Sequence, residues 1–245
     1  MKLLIDAGNT RLKWQLRRHN ALVEQGTCLL TSRDWLDNLM AYQSSIDQVA
    51  VSTVVSRPKQ SQLEADLYSL ATTAKPVFYW AEPYRHGLTN AYSDVSRMGA
   101  DRWHAMYAGW HKEFGGFAVL DAGSALTVDY VAADGRHLGG YILPGKQMML
   151  RSLQKDAARI GFDPVGMGAG EPGGSTTECV QHGLIWLWEG LAARIGADCR
   201  NHQLDRVLFT GGDADLLLVA GLQGQHHPDL VLDGLAAIDA ESRAQ

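Results

Sequence analysis

Short apolar runs closed by glycine turns set the pattern of this chain. Leu3-Leu4-Ile5 is brief and uninterrupted, the mark of a buried strand. Beyond it, Leu12, Trp14 and Leu16 alternate with Arg11, Lys13, Gln15 and Arg17, which predicts a strand with one face solvated. Residues 21–30 read as a third strand, 32–42 as a helix opened by Ser32 or Asp34, and Asp47 to Ser52 as a fourth strand. A helix is expected over Pro58–Leu70, with proline in its first turn, and a strand over Pro76–Trp80. The order then recurs. Phe117-Ala118-Val119-Leu120 predicts another buried strand, and Leu126–Ala132 and His137–Leu143 complete a meander around the Asp134-Gly135 turn. Helices over 146–157 and 176–196 and a strand over Arg206–Thr210 follow. The longer helix carries Val180, Leu184, Leu187, Trp188, Leu191 and Ile195 along one face, fit either for a core or for an interface. Gly161–Gly174 is expected to form a mobile loop.

Two of the turns carry one phrase. Asp6-Ala7-Gly8-Asn9-Thr10 closes the first strand and Asp121-Ala122-Gly123-Ser124-Ala125 closes its counterpart. Glycine at a bend lets backbone N–H groups approach a ligand, and the neighbouring amide or hydroxyl adds polar groups. An aspartate does not bind phosphate directly but holds a cation or its water shell. The repetition implies a duplicated fold gripping one polyphosphate between its halves. A third turn, Gly211-Gly212-Asp213 after Val207–Thr210, offers bare backbone to a flat ligand such as a base.

Composition narrows the setting. The 245 residues allow one large domain or two moderate ones, and 46% hydrophobic with 20% charged residues is ordinary globular usage. A net charge of −5 argues against a broad pull on nucleic acid or anionic membrane. Cys28, Cys179 and Cys199 form no CxxC pair, and no apolar run approaches a membrane span, so a cytoplasmic protein with reduced thiols is expected. The nine histidines show no HExxH spacing and predict no zinc site, and Arg11, Lys13, Arg17 and Arg18 are expected to solvate one strand face.

The ordered set Asp6-x-Gly-Asn-Thr, Asp121-x-Gly-Ser and Thr210-Gly-Gly-Asp resembles the phosphate-1, phosphate-2 and adenosine motifs of the superfamily of acetate and sugar kinases, heat-shock chaperone ATPases and actin. Asn90-Ala91-Tyr92 with Gly99-Ala100-Asp101-Arg102, then Asp121–Asp129, Gly139-Gly-Tyr-Ile-Leu-Pro-Gly145 and Ser175-Thr176, narrow the resemblance to the type III pantothenate kinase family. It runs from residue 1 to about 215 in the family's order. Val95 stands where family members usually have proline, Met98 where they have leucine, and Ser124 where threonine is commoner.

The resemblance implies an α/β fold of two ribonuclease-H-like, actin-like domains with a nucleotide cleft between them. Residues 1–115 would form the first and 116–245 the second, with the last helix free to cross back. It implies ATP-dependent phosphorylation of pantothenate with Asp101 as general base. Asp6 to Lys13 (Asp6, Ala7, Gly8, Asn9, Thr10, Arg11, Leu12, Lys13), Ser124, Gly211 and Gly212 would contact ATP, with Mg2+ placed through water by Asp6. Asp121 would hold a monovalent cation, K+ or NH4+, and Tyr92, Gly99, Ala100, Asp101, Arg102 and Thr176 would contact pantothenate. A homodimer with its substrate pocket near the interface is also implied, and neither nucleic acid nor membrane is expected as a partner. Simpler readings stand beside these: Tyr92 as a core aromatic, Thr176 as a helix N-cap supported by Glu178, Lys13 as a solvated strand residue. Another small-molecule kinase of the superfamily would keep Asp6, Asp121 and Gly211-Gly212 but not the 90–102 segment. A regulator of the Bvg accessory factor type would need no turnover at all.

Overall fold

Leu3, Leu4 and Ile5 are all fully buried because β1 (Lys2–Ala7) runs through the middle of a sheet covered on both faces. The computed structural model describes residues 1–70, 75–112, 115–157, 160–164, 166, 168 and 170–244. The first half supplies β1, β2 (Arg11–Arg18), β3 (Ala21–Leu29), α1 (Asp34–Met40), β4 (Gln48–Thr53), α2 (Arg57–Ser69) and β5 (Pro76–Tyr79). A short hairpin, β6 (Tyr84–Arg85) and β7 (Leu88–Thr89), precedes α3 (Ala100–Lys112). The sheet order is β3-β2-β1-β4-β5, antiparallel from β3 to β1 and parallel from β1 to β5. One face, with Leu3, Ile5, Trp14, Val49 and Val51, packs on Trp35 and Leu39 of α1 and Leu63 and Leu67 of α2. Gly26 lies opposite Trp14, and a Cβ there would crowd the indole at 2.7 Å.

The second half repeats this plan with β8 (Phe117–Ala122), β9 (Ala125–Val131), β10 (His137–Pro144), α4 (Lys146–Asp156), α5 (Thr176–Asn201), β11 (Arg206–Thr210), α6 (Ala214–Val219) and β12 (Gln225–His226). Its order, β10-β9-β8-β11-β12, has the same antiparallel and parallel halves. Trp188, Ala192 and Ile195 of α5 pack on Ala118, Leu120, Val128 and Tyr130. The fold is the α/β duplication that the repeated phrase implies.

The chain divides into two compact units, Met1–Phe114 with Asp229–Gln245, and Gly115–Pro228. The last helix, α7 (Leu230–Ala244), thus packs with the first unit although it follows the second in sequence. Leu232 and Leu235 meet Leu4 and Ala50 on the second face of the first sheet. Asp239 pairs with Lys2 and accepts the Tyr79 hydroxyl at 2.9 Å, and Asp233 takes Arg17 at 2.8 Å and Lys112 at 2.6 Å. Burial works against the Asp233 carboxylate, but the hydrogen bonds from Lys112 and Arg17 outweigh it and hold the group below the usual range. This packing corrects the expectation that Arg17 solvates an open strand face. Gln15, only 2% exposed, hydrogen-bonds Gln25 and Arg17 on that face.

The pattern also misses α3, whose residues from Arg102 to Gly109 are buried on every side and so show no polar face. Helix α1 is shorter than 32–42, its Asp34 N–H donating to Ser32 Oγ at 3.2 Å. The stretch 161–174, expected as a mobile loop, has neither helix nor strand where described; its residues 165, 167 and 169 lie outside the described residues.

His104 of α3 is fully buried, with Nδ1 2.8 Å from Ser52 Oγ. Burial first, and the Arg85 charge second, lower its pKa from 6.5 to about 3. The unfolded chain therefore binds a proton below pH 6.5 that the folded chain refuses. The contribution is complete above that pH and declines as pH falls toward 3, by about 1.4 kcal/mol per pH unit. Urea unfolding between pH 7 and pH 4 is expected to show this loss, with a shallower slope in His104→Gln; equal slopes would refute it.

Candidate active site

The first Asp-Ala-Gly turn is the bend between β1 and β2. Gly8 N–H donates to the Arg11 carbonyl at 3.0 Å, and Thr53 Oγ1 donates to the Ala7 carbonyl at 3.2 Å, so β4 props the bend from beside it. Asp6 lies in register with Lys13 on β2 and Ser52 on β4. In-register neighbours share a sheet face, so carboxylate, ammonium and hydroxyl stand together. Asn9, Thr10 and Arg11 are exposed and Gly8 is half-buried. Ala7 and Leu12 turn their side chains into the core, so they have only backbone to offer a ligand. Lys59 of α2 donates to the Asn9 carbonyl at 3.3 Å. No local signal marks that lysine, because only the fold brings α2 to the turn.

The second and third glycine turns meet within the other unit. Gly123 N–H donates to the Ala125 carbonyl at 3.0 Å, and Gly145 N–H donates to the Ser124 carbonyl at 3.2 Å. A Cβ on Gly145 would overlap the carbonyls of Gly123 and Ser124. Gly211, at φ +93°, lies against the same turn: a Cβ there would stand 2.5 Å from both Asp121 Oδ1 and the Ala122 oxygen. Asp213 N–H donates to the Ala122 carbonyl at 2.9 Å. Around Gly212 the space is open, with nothing within 4 Å of its Cβ position. Asp121, Ser124, Gly211 and Gly212 are therefore brought together.

Among the described residues, no group of three or more His, Cys, Asp or Glu is arranged to hold a metal ion. Asp6 is a single carboxylate, which fits the water shell of a cation whose own ligands are water and phosphate oxygens, the common state of Mg2+. Beside Gly211 the Asp121 carboxylate and the Ala122 carbonyl converge, an all-oxygen donor pair suited to a hard cation.

Asp101 occupies the first turn of α3. Its Oδ1 accepts the Arg102 N–H at 2.7 Å, and a Cβ on Gly99 would come within 2.5 Å of that oxygen. Glycine at 99 thus leaves room for the carboxylate, and a helix start suits its negative charge. Arg102 is buried, donates from Nη1 to Tyr92 Oη at 2.8 Å and holds its guanidinium 5.7 Å from the ring centroid. Tyr92 itself is only half-buried, so it is not a core aromatic. Thr176 belongs to the second unit and lines an open cavity of about 860 Å3 that Ser175, Met149, Leu153, Val180 and Leu184 also line. The N-cap of α5 is Ser175, whose Oγ accepts the Glu178 N–H at 3.2 Å, and not Thr176. Glu178 completes the cap by accepting the Gly174 N–H at 2.7 Å. With Ser175 serving as the cap, the Thr176 side chain is left exposed.

The chain matches the family model of type III pantothenate kinase over residues 2–198. It is 54% identical over 239 residues to the type III pantothenate kinase of Marinobacter nauticus, covering 97% of this chain and 98% of that one. To the enzyme of the same name from Cellvibrio japonicus it is 37% identical, covering 96% and 95%. Among solved structures it resembles a Campylobacter jejuni chain assigned to the Baf family of transcriptional activators, at TM-score 0.62 and 21% identity with 99% and 100% coverage. It also resembles component A of the (R)-2-hydroxyglutaryl-CoA dehydratase of Acidaminococcus fermentans, at TM-score 0.55 and 14% identity with 100% and 99% coverage. Those two likenesses bear on the fold alone.

Gly211→Ala forces a side chain into a positive-φ position already filled by Asp121 and Ala122. A loss of about 2 kcal/mol in urea unfolding is expected, and a wild-type midpoint would show that the two turns are not packed.

Proposed function

The chain belongs to the type III pantothenate kinase family, and we propose on that footing that Asp101 is the general base of its reaction. That reaction is the ATP-dependent phosphorylation of pantothenate in coenzyme A biosynthesis. Phosphoryl transfer asks a protein mainly to position its reactants and to stabilise charge. Asp101, fixed by the Arg102 amide in the space that Gly99 leaves, takes the proton of the pantothenate primary hydroxyl as its oxygen bonds to the γ-phosphorus of ATP and the bond from that phosphorus to the bridging oxygen breaks, releasing ADP. A carboxylate is generally a weak base at neutral pH. It accepts this proton late, once the forming phosphate ester has made the hydroxyl acidic. Arg102, already docked on Tyr92, offers a fork to the substrate carboxylate or to a phosphate oxygen. Gly99, Ala100 and Thr176 complete the pantothenate contacts. The observation that carries this reading is the Asp101 carboxylate, tethered at a helix start beside a preassembled Arg102–Tyr92 pair.

ATP falls to the turn residues. Gly8, Asn9 and Thr10, with Arg11, Lys13 and the backbone of Ala7 and Leu12, line its phosphates, and Ser124, Gly211 and Gly212 serve the rest of the nucleotide. Asp6 holds Mg2+ through water, and Asp121 holds K+ or NH4+. When bound, these cations offset the negative charge of the phosphates. A cytoplasmic setting agrees with Cys28, Cys179 and Cys199 all being free thiols.

A homodimer is part of the proposal. Tyr141, Ile142 and Leu143 of β10, Met148 of α4, and Trp186 and Leu187 of α5 are large apolar side chains left exposed in the second unit, Trp186 at 70%. The apolar stripe of α5 is thereby divided: Trp188 and Ile195 are core, whereas Leu187 is open to a partner. Exposed apolar surface of this kind marks association.

Asp101→Asn is expected to lower kcat about 10^2- to 10^4-fold, with ATP affinity and unfolding midpoint near wild type; substantial turnover would remove Asp101 from the base role. Trp186→Arg is expected to shift the solution mass from dimer toward monomer in sedimentation equilibrium. A wild-type mass that stays monomeric at every concentration would sink the dimer reading.

A further inference from the structure

Asp129 and His137 are a buried pair that the proposed chemistry leaves unused. They keep 1% and 2% exposure, and His137 Nε2 stands 3.0 Å from Asp129 Oδ1. A buried carboxylate is costly unless a partner compensates it, and an apolar pair would fill a strand interior at no such cost. The position of this pair suggests what it contributes. Asp129 is in register with Val119 of β8, two residues along from the Asp121–Thr127 pair. Alternation then places Asp129, Thr127 and Asp121 on one sheet face, opposite the Leu126, Val128 and Tyr130 face that packs on α5. On its other side Asp129 lies opposite Gly140 of β10, which has no side chain to compete for the space. His137 reaches it across the bulge between His137 and Gly139, where Gly139 takes φ +104°. From that bulge the ladder runs without a shift from Gly139–Tyr130 to Pro144–Ala125. It delivers Gly145 onto the Ser124 carbonyl, where only glycine fits.

We infer that Asp129 and His137 are positioning residues for the nucleotide and cation site: their pair fixes the β9–β10 register and so the brace that Gly145 puts on the Gly123-Ser124 turn. A one-residue slip in this register would turn every β10 side chain to the other face and carry Gly145 off the turn. The inference rests on the reading of Asp121 as cation ligand and Ser124 as nucleotide contact. A pair that served packing alone would alter the unfolding midpoint and leave the constants of the folded enzyme untouched. A positioning pair moves those constants selectively.

The test measures half-saturation by potassium and KM for ATP and for pantothenate in Asp129→Asn, His137→Gln, His137→Phe and the double variant Asp129→Asn/His137→Phe. Asp121→Asn is run beside them. Expected is a rise of about tenfold in the potassium and ATP constants with pantothenate KM unchanged. His137→Gln, which keeps a donor toward Asp129, should recover most of what His137→Phe loses. The double variant should be no worse than its worse parent, as members of one interaction are not additive. Folded His137→Phe with wild-type potassium and ATP constants, while Asp121→Asn is impaired, overturns the inference alone. An Asp121→Asn enzyme with an unchanged potassium response overturns the cation reading, and ATP KM in the His137 variants then decides the inference. Should Asp129→Asn not fold, the two His137 variants carry the whole test.

Discussion

Gly234 rests against the carbonyl of His104 so closely that any side chain at 234 would overlap it, and α3 and α7 therefore meet backbone to backbone. Much of the first unit depends on that crossing. Helix α7 closes the second face of the sheet through Leu232 and Leu235, and its acids find basic partners on three sides: Arg17 on β2, Lys2 on β1 and Lys112 on α3. Helix α3 is held at the depth at which His104 meets Ser52 of β4. Ser52 is in turn the in-register neighbour of Asp6. Since Asp101 stands one helical turn before His104, the crossing also sets where the carboxylate lies at the start of α3. A unit that ended at residue 114 would lack this cover, and Leu4 and Ala50 would face water.

The duplication explains why the two Asp-Ala-Gly turns are built alike and braced differently. In both units the turn joins the central strand to its antiparallel neighbour, and the parallel strands lie on the other side. In the first unit the brace is local to the sheet, with Thr53 of β4 donating to the Ala7 carbonyl. In the second it comes from two glycines far apart in sequence, Gly145 after β10 and Gly211 after β11. Both positions need glycine because they touch backbone, and that requirement links the Gly139–Gly145 segment and the Gly211-Gly212 turn to one site.

How much of this was legible in the sequence follows from range. Continuous runs such as Leu3–Ile5 and Phe117–Leu120 report burial on both faces through nearest neighbours, and the Asp-Ala-Gly turns report local bends; both were readable. Helix α3 was not, because burial of Trp103, His104 and Tyr107 together erases the polar stripe that marks a helix. The polar residues of β2 read as solvated because nothing near them announces α7, whose Asp233 is 216 residues from Arg17. Lys59 at the first turn and the Ser52–His104 contact were invisible for the same reason. At the start of α5 both Ser175 and Thr176 are able to cap, and only backbone geometry separates them: Ser175 is extended, with φ −137° and ψ 163°.

One phrase spoken twice need not do one job, and the strand neighbours supply the physical reason. Asp6 is flanked in register by Lys13 and Ser52, so an ammonium already shares its face. A direct divalent ligand there would meet cation–cation repulsion, whereas a hydrated Mg2+ anchored mainly by phosphate oxygens would not crowd it. Asp121 is flanked by Thr127 and Thr210, with the Ala122 carbonyl at hand beside Gly211. That side is rich in oxygens and has no lysine in register, a setting in which an alkali cation can shed water and bind protein directly. The proposed division of labour, Mg2+ through water at the first aspartate and a monovalent cation at the second, is supported by what β2, β4, β9 and β11 place beside the same three residues.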